Sequence, residues 1–212
     1  MQKIKNIIFD YGNVIFMLDF PALRQAFVDL GIRDANAFFS HATQNPWVDA
    51  LDKGQLTAAE FRNTIREAAG KPELTDSEIT KAWSTLLVGV PEGYHDLLRN
   101  LKQHYRTFLL SNNNEIHYQW IMDYLQREHG LVDNSVFFEQ DYYSHLMGMR
   151  KPDPAIFQFV LDRHDLQPGE TLFIDDSPQH VAAAQRLGIR AELLGEGDTL
   201  PELLDRIGVW KK

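Results

Sequence analysis

Four short segments carry residues whose types can do chemistry together. Asp10 follows the apolar run Ile7-Ile8-Phe9 and precedes the glycine turn Tyr11-Gly12-Asn13-Val14; Ser111 follows Thr107-Phe108-Leu109-Leu110. Lys151 sits in the loop Gly148-Met149-Arg150-Lys151-Pro152, and Asp175-Asp176 follow Thr171-Leu172-Phe173-Ile174. A carboxylate presented at the end of a buried strand can serve as a nucleophile or as a metal ligand. Several carboxylates on one rim repel one another and raise each other's pKa values, a cost that a bound cation removes. Oxygen donors suit a hard ion, and magnesium takes one or two carboxylates with waters and phosphate oxygens. The hydroxyl of Ser111 and the ammonium of Lys151 are donors suited to phosphate oxygens. Together these residues predict a site for magnesium plus phosphate, with one carboxylate left to attack phosphorus. Singly, each has a plainer role: Ser111 as a helix cap, Lys151 as a solvated charge, the acidic pair as a turn. Three of the segments end strands on one rim and the lysine loop lies on that rim too, which joins them.

The elements that must position these groups are legible from periodicity. Residues 4 to 10 read as a first strand, 107 to 110 as a second, Val136-Phe137-Phe138 as a third, 171 to 174 as a fourth and 191 to 194 as a weaker fifth. Helices are predicted from Pro91, over 115 to 127, from Pro154 behind the cap Asp153, after Ser177-Pro178, and over 200 to 207. Strands alternating with helices predict an α/β fold, a doubly wound, mostly parallel Rossmann-like sheet that binds ligands at its strand carboxyl ends. Helix N-termini after Ser111 and Asp176 would face the same rim and favour an anion. Between the first and second strands the pattern is helical. Leu23, Ala26, Phe27 and Leu30 keep helical spacing, and Thr57-Ala58-Ala59-Glu60 and Thr75-Asp76-Ser77-Glu78 are capping boxes. The expectation is an α/β core formed by 1–19 and 88–212, with 20–87 inserted as a helical cap.

The whole chain bounds the function. Its 212 residues suffice for one large domain or a core with an insertion. A net charge of -9 argues against general nucleic-acid or anionic-membrane partners, while leaving room for a small anionic ligand. Cysteine is absent, which excludes disulfides, thiolate catalysis and cysteine-bound zinc. No signal-peptide pattern and no stretch of about 20 apolar residues is present. The expectation is a cytoplasmic protein, a monomer or weak homodimer, acting on a small phosphorylated metabolite.

The motifs resemble those of the haloacid dehalogenase-like hydrolase superfamily. Phe9-Asp10-Tyr11-Gly12-Asn13-Val14, Leu110-Ser111-Asn112, Arg150-Lys151-Pro152-Asp153-Pro154 and Phe173-Ile174-Asp175-Asp176-Ser177 match its four motifs in order, and 20–87 lies where members carry a small helical cap. The resemblance implies that Asp10 is the nucleophile, passing through an aspartyl-phosphate, and also a Mg2+ ligand. It implies that Gly12 offers its backbone carbonyl to the metal and that Ser111 and Lys151 hold the phosphoryl group, Lys151 also restraining Asp10. Asn112 would add a contact. Asp176 would ligate the metal, with Asp175 helping directly or through water.

One departure matters. Members of the superfamily that act as phosphatases or mutases mostly carry a second Asp two residues after the nucleophile, as general acid and base. Here Gly12 stands there, which makes a mutase the wrong expectation. The D-x-G-N-V form resembles a subgroup with sugar-phosphate phosphatases of the glucose-1-phosphatase type. Asp19, His41 and His145 are candidate acids, with Asp19 better read as an N-cap before Pro21. The cap aromatics Phe38, Phe39, Trp47 and Trp83 read as core rather than ligand surface. Lys53, which could resemble the amine of phosphonate-cleaving relatives, reads as a surface lysine. The expected activity is a magnesium-dependent phosphatase on a small phosphorylated metabolite, a sugar phosphate being the favoured class. Alternatives are a 2-haloacid dehalogenase and a non-catalytic phosphate-binding module.

Overall fold

A computed structural model describes residues 3–35 and 46–210. Phe38, Phe39 and His41 therefore lie outside the described residues. The sheet is built from β1 (Asn6–Phe9), β4 (Arg106–Ser111), β5 (Gln140–Tyr143), β6 (Thr171–Asp175) and β7 (Arg190–Leu193). Its order is β5-β4-β1-β6-β7, and every neighbouring pair is parallel. Parallel strands need both faces covered, so their sequences are continuously apolar. Ile7 and Phe9 point to one face and join Leu97, Leu98 and Leu101 of α5 (Tyr94–His104), Leu125 of α6 (Glu115–His129) and Leu203 of α10 (Leu200–Arg206). Ile8 points to the other and packs with Ile156, Phe157 and Val160 of α8 (Pro154–His164) and with Ala183 and Ala184 of α9 (Pro178–Arg186). The side-chain period of two thus divides one strand between two helical layers.

The register brings the strand ends level. Phe9 pairs with Leu109 on one side and with Ile174 on the other. Asp10, Ser111 and Asp175 consequently leave three adjacent strands at nearly the same height, with β1 at the centre.

The third strand was expected at Val136-Phe137-Phe138 and lies instead at Gln140–Tyr143. Phe137 and Phe138 are buried, but in a turn whose amides reach Asn134 O at 2.9 and 3.2 Å, with Phe137 O accepting from Thr107 Oγ1 at 2.7 Å. An apolar run under a loop imitates a buried strand, whereas an edge strand needs little apolar character; only Tyr143 of Gln-Asp-Tyr-Tyr is buried.

Helices α1 (Phe20–Leu30), α2 (Pro46–Asp52), α3 (Ala58–Ala69) and α4 (Asp76–Ser84) gather around their own cluster of Leu23, Phe27, Leu51, Phe61, Ile65, Ile79 and Trp83. Thr57 and Thr75 make the expected capping boxes with Glu60 and Glu78. Trp83 lies between Phe27 and Phe61, and Trp47 stacks near Phe61, so these rings are core. Ile116 of α6 closes the cluster from below. The segment is not wholly helical. β3 (Leu87–Gly89) pairs antiparallel with β2 (Met17–Leu18), so a two-stranded ribbon ties together the entry and exit of the helical segment.

Candidate active site

Asp10 is placed by the last hydrogen bonds of β1, its amide donating to Ile174 O at 2.9 Å. Its Oδ1 accepts from Tyr11 N at 2.7 Å and lies 2.8 Å from Lys151 Nζ. Among the described residues nothing donates to Oδ2, which is the oxygen available for attack or coordination. Burial raises the Asp10 carboxyl well above the ordinary carboxylate range; Asp175 and Asp176 add to this and Lys151 opposes it.

Lys151 is fully buried, with its ammonium between Asp10 and Asp175 Oδ2 at 2.7 Å. Burial lowers its pKa, but the two carboxylates outweigh that and hold it above the ordinary lysine value. It is therefore a fixed cation beneath the rim, with no solvated role. Asn112 sets its backbone: Asn112 Oδ1 accepts from Lys151 N at 2.9 Å and Asn112 Nδ2 donates to Lys151 O at 2.9 Å. One Nδ2 hydrogen of Asn112 is left over for the expected phosphate contact.

The acidic pair divides its work. Asp175 is fully buried; Oδ2 accepts from Lys151, and Oδ1 accepts from Ser177 N at 2.8 Å and lies 2.9 Å from His180 Nδ1. Burial pushes its carboxyl up, yet Lys151 and His180 outweigh burial and hold it well below the ordinary range. Among the described residues nothing donates to Asp176 Oδ1; Oδ2 accepts from Asn13 Nδ2 at 2.9 Å, and burial raises its pKa. Asp10, Asp175 and His180 bring ligand-type atoms within 4.8 Å of one another. Asp175 and His180 are turned toward each other and Lys151, so Asp176 is the better free arm.

Three carboxylates around one ammonium leave the rim with excess negative charge, which is what a divalent cation fits. The Gly12 carbonyl is also on hand. A bridge between Gly12 and Phe16 is made by Phe16 N to Tyr11 O and Asn13 N to Phe16 O, and does not use it. Ser111 is buried at the end of β4, its Oγ 3.4 Å from Asn112 O.

Those strand ends and loops fall within a single family match: residues 4–188 fit the haloacid dehalogenase-like hydrolases. The chain belongs to that family. Among curated members it is 34% identical over 185 residues to D-ribitol-5-phosphate phosphatase of Bacteroides thetaiotaomicron, covering 87% of this chain and 89% of the relative. A crystal structure of a family enzyme from the same organism, complexed with magnesium and inorganic phosphate, superposes with a TM-score of 0.85 at 35% identity, covering 94% and 98% of the two chains. A HAD-like hydrolase structure from Porphyromonas gingivalis does so with a TM-score of 0.87 at 30% identity, covering 99% and 100%.

In this haloacid dehalogenase-like chain the remaining candidates fall out as follows. Asp19 caps α1, its Oδ1 accepting from Ala22 N at 2.8 Å. Lys53 pairs with Asp49 at 2.8 Å. His145 is half-buried, with Nδ1 unpartnered and its pKa lowered by burial. A Cβ at position 12 would meet Leu18 Cδ1 at 2.8 Å, so any side chain in place of Gly12 must displace Leu18.

Sequence reasoning missed Asn13 and His180 as parts of the site. Asn13 adopts φ 53°, the left-handed region Asn tolerates, and its amide accepts from Leu18 N at 3.1 Å while donating to Asp176. The Asp-x-Gly-Asn spacing was its available signal. His180 had only its place five residues after Asp175, and one histidine on a helix carries little information. Among the described residues no helix is long and apolar enough to cross a membrane.

Proposed function

We propose that this hydrolase is a magnesium-dependent phosphatase that cleaves a small phosphorylated metabolite of the sugar- or polyol-phosphate class. The observation that carries this reading is the Lys151 ammonium held 2.8 Å from Asp10 and 2.7 Å from Asp175, with Asp176 near enough to raise the Asp10 pKa and Ser111 ending the strand beside β1. Asp10, Asp176 and the Gly12 carbonyl would hold Mg2+, with Asp175 acting through Lys151. When bound, the ion supplies positive charge to phosphoryl oxygens whose charge shifts in the transition state.

The chain's own groups divide the rest of the reaction. Lys151 and Tyr11 N fix Asp10 Oδ1, which aims Oδ2 at phosphorus. A new Oδ2–P bond forms as the P–O bond to the leaving group breaks, and the leaving oxygen takes a proton. Water then attacks the aspartyl-phosphate at phosphorus, releases phosphate and restores the Asp10 carboxylate. Ser111 Oγ and Lys151 Nζ donate to the phosphoryl oxygens, with Asn112 adding a contact. Gly12 supplies no acid, so the first proton comes from water or another residue.

The relative named for D-ribitol 5-phosphate supports the substrate class. The acidic net charge supports an enzyme working without nucleic acid or an anionic membrane surface, and the sequence pattern without a signal peptide supports a cytoplasmic one. We read 1–19 and 88–212 as the core and 20–87 as the cap that shapes the leaving-group pocket. A dehalogenase that works without metal would have to keep the excess acid buried and uncompensated, which is costly.

Phosphate release from a panel of sugar and polyol phosphates, with magnesium and with chelator, tests the function. Metal-dependent turnover on several members supports it. Turnover unaffected by chelator, or halide release from a 2-haloacid without phosphate release, overturns it.

A further inference from the structure

Asp52 ends α2 in the helical segment and is 9% exposed, although it belongs to no part of the rim. Its Oδ2 lies 3.3 Å from Arg150 Nη2, and the Asn114 side chain stands near enough to lower its pKa. Arg150 Nη1 also reaches Asp49 Oδ1 at 3.3 Å, and Asp49 is held in turn by Lys53. These partners are not scattered. Arg150 immediately precedes Lys151, and Asn114 caps α6 three residues after Ser111. Asn114 Oδ1 accepts from His117 N at 3.1 Å and from Trp83 Nε1 at 3.2 Å, tying the same loop to α4. Two residues beyond Asp52, Gly54 sits against α7 (Ser144–Met147), so closely that a Cβ there would lie 2.4 Å from His145 O. One carboxylate of the helical segment therefore joins both loops that would face the phosphoryl group.

We propose that Asp52 is a positioning residue: seated between Arg150 and Asn114, it sets the Lys151 and Ser111 loops against Asp10, so the rim is complete only with the cap docked. The proposal rests on the phosphatase reading for its catalytic consequence.

The surroundings separate positioning from scaffolding. Burial raises the Asp52 carboxyl to about 6, Asp49 adds to the rise, and Arg150 and Asn114 pull it down. The other titratable groups facing this junction are Lys53, His117 behind Asn114, and His145 beneath Gly54. A group whose pKa is raised by docking favours the docked state at low pH and weakens it as pH rises through that value. Near neutral pH the charged carboxylate costs stability at this junction, while its charge orients Arg150. Asp52→Asn removes both effects.

The test uses the full chain with magnesium and p-nitrophenyl phosphate, together with thermal unfolding near neutral pH and amide hydrogen exchange of residues 111–114 and 150–151. Asp52→Asn should leave the unfolding midpoint unchanged or raised, lower kcat about tenfold or more, and speed exchange in both loops. Because Asp52 acts through Arg150, Asp52→Asn added to Arg150→Gln should cause little further loss. A kcat within about twofold of wild type with unchanged loop exchange overturns the proposal, as does a kcat loss that adds in full to that of Arg150→Gln. Absence of any phosphate release by wild type would count against the phosphatase reading; loop exchange then decides this proposal, and unchanged exchange in Asp52→Asn overturns it.

Discussion

Lys151 Nζ lies 2.8 Å from Asp10 Oδ1, and the lysine that makes this contact is wholly buried. Its second partner, Asp175, stands 2.7 Å away on the neighbouring strand. One cation thus compensates two carboxylates that would otherwise face each other in a dry site.

Lys151→Met keeps the volume and removes the charge. Breaking a buried pair leaves its partners uncompensated, at a cost of about 3–5 kcal/mol. Urea unfolding in chelator should show that loss, and added magnesium should restore part of it by binding the freed carboxylates. Phosphate release should be abolished in both conditions. A variant as stable as wild type without magnesium would contradict the charge balance described here.

Asn112→Ala removes both hydrogen bonds that fix the Lys151 backbone. The expected stability cost is about 1–3 kcal/mol, from a buried donor and acceptor left unpaired. Activity should fall more than stability alone explains, because a misplacement of about 1 Å at the reacting groups can cost about 100-fold. Steady-state kinetics beside a denaturant titration separates the two effects.

Asn13→Ala frees Asp176 Oδ2 and the Leu18 amide. Residues that orient a metal ligand are worth about 10–100-fold in metal affinity. Magnesium titration, by activity and by calorimetry, should show a weakening of that size, with kcat at saturating metal changed much less. Unchanged affinity would mean that Asp176 needs no orienting or does not bind the ion.

His117 supplies a pH signature at the seam between the helical segment and α6. It is buried beside Trp83, with Nε2 at 3.0 Å from Trp83 O, and burial lowers its pKa from 6.5 to about 4. The unfolded chain binds the proton first. The stability contributed by neutral His117 is therefore complete above 6.5 and is lost as pH falls from 6.5 toward 4, by about 3 kcal/mol. His117→Gln should flatten that part of the stability profile, measured by denaturant midpoints. An unchanged acid limb would show that the imidazole is not held neutral.

How far the sequence discloses the site depends on how each residue signals itself. Asp10, Ser111 and Asp175 are readable because a continuous apolar run announces a buried parallel strand, and the polar residue ending it is necessarily at the rim. Their spatial meeting follows from a strand order with β1 central, which alternation of strands and helices makes the natural arrangement. Lys151 is less readable, since its burial is set by two carboxylates more than 20 residues away on either side in sequence. The edge strand at 140–143 was missed because it is polar on one face, while the buried turn at Phe137-Phe138 imitates a strand. Asn112 is expected at the ligand, and its grip on the Lys151 backbone adds a second role that residue type alone does not disclose. Asp52 was invisible because its importance comes from docking against Arg150 and Asn114, contacts that no local pattern encodes.

In this mechanism Asp10 is the nucleophile that receives the phosphoryl group. Acid-quenched turnover with a sugar phosphate and magnesium, followed by borohydride reduction and peptide mass analysis, tests it most directly, because borohydride reduces an acyl phosphate and leaves a free carboxylate. The expected product is a reduced side chain confined to position 10, requiring both substrate and magnesium and absent from Asp10→Asn. Reduction at another residue, or sustained turnover by Asp10→Asn, would contradict it.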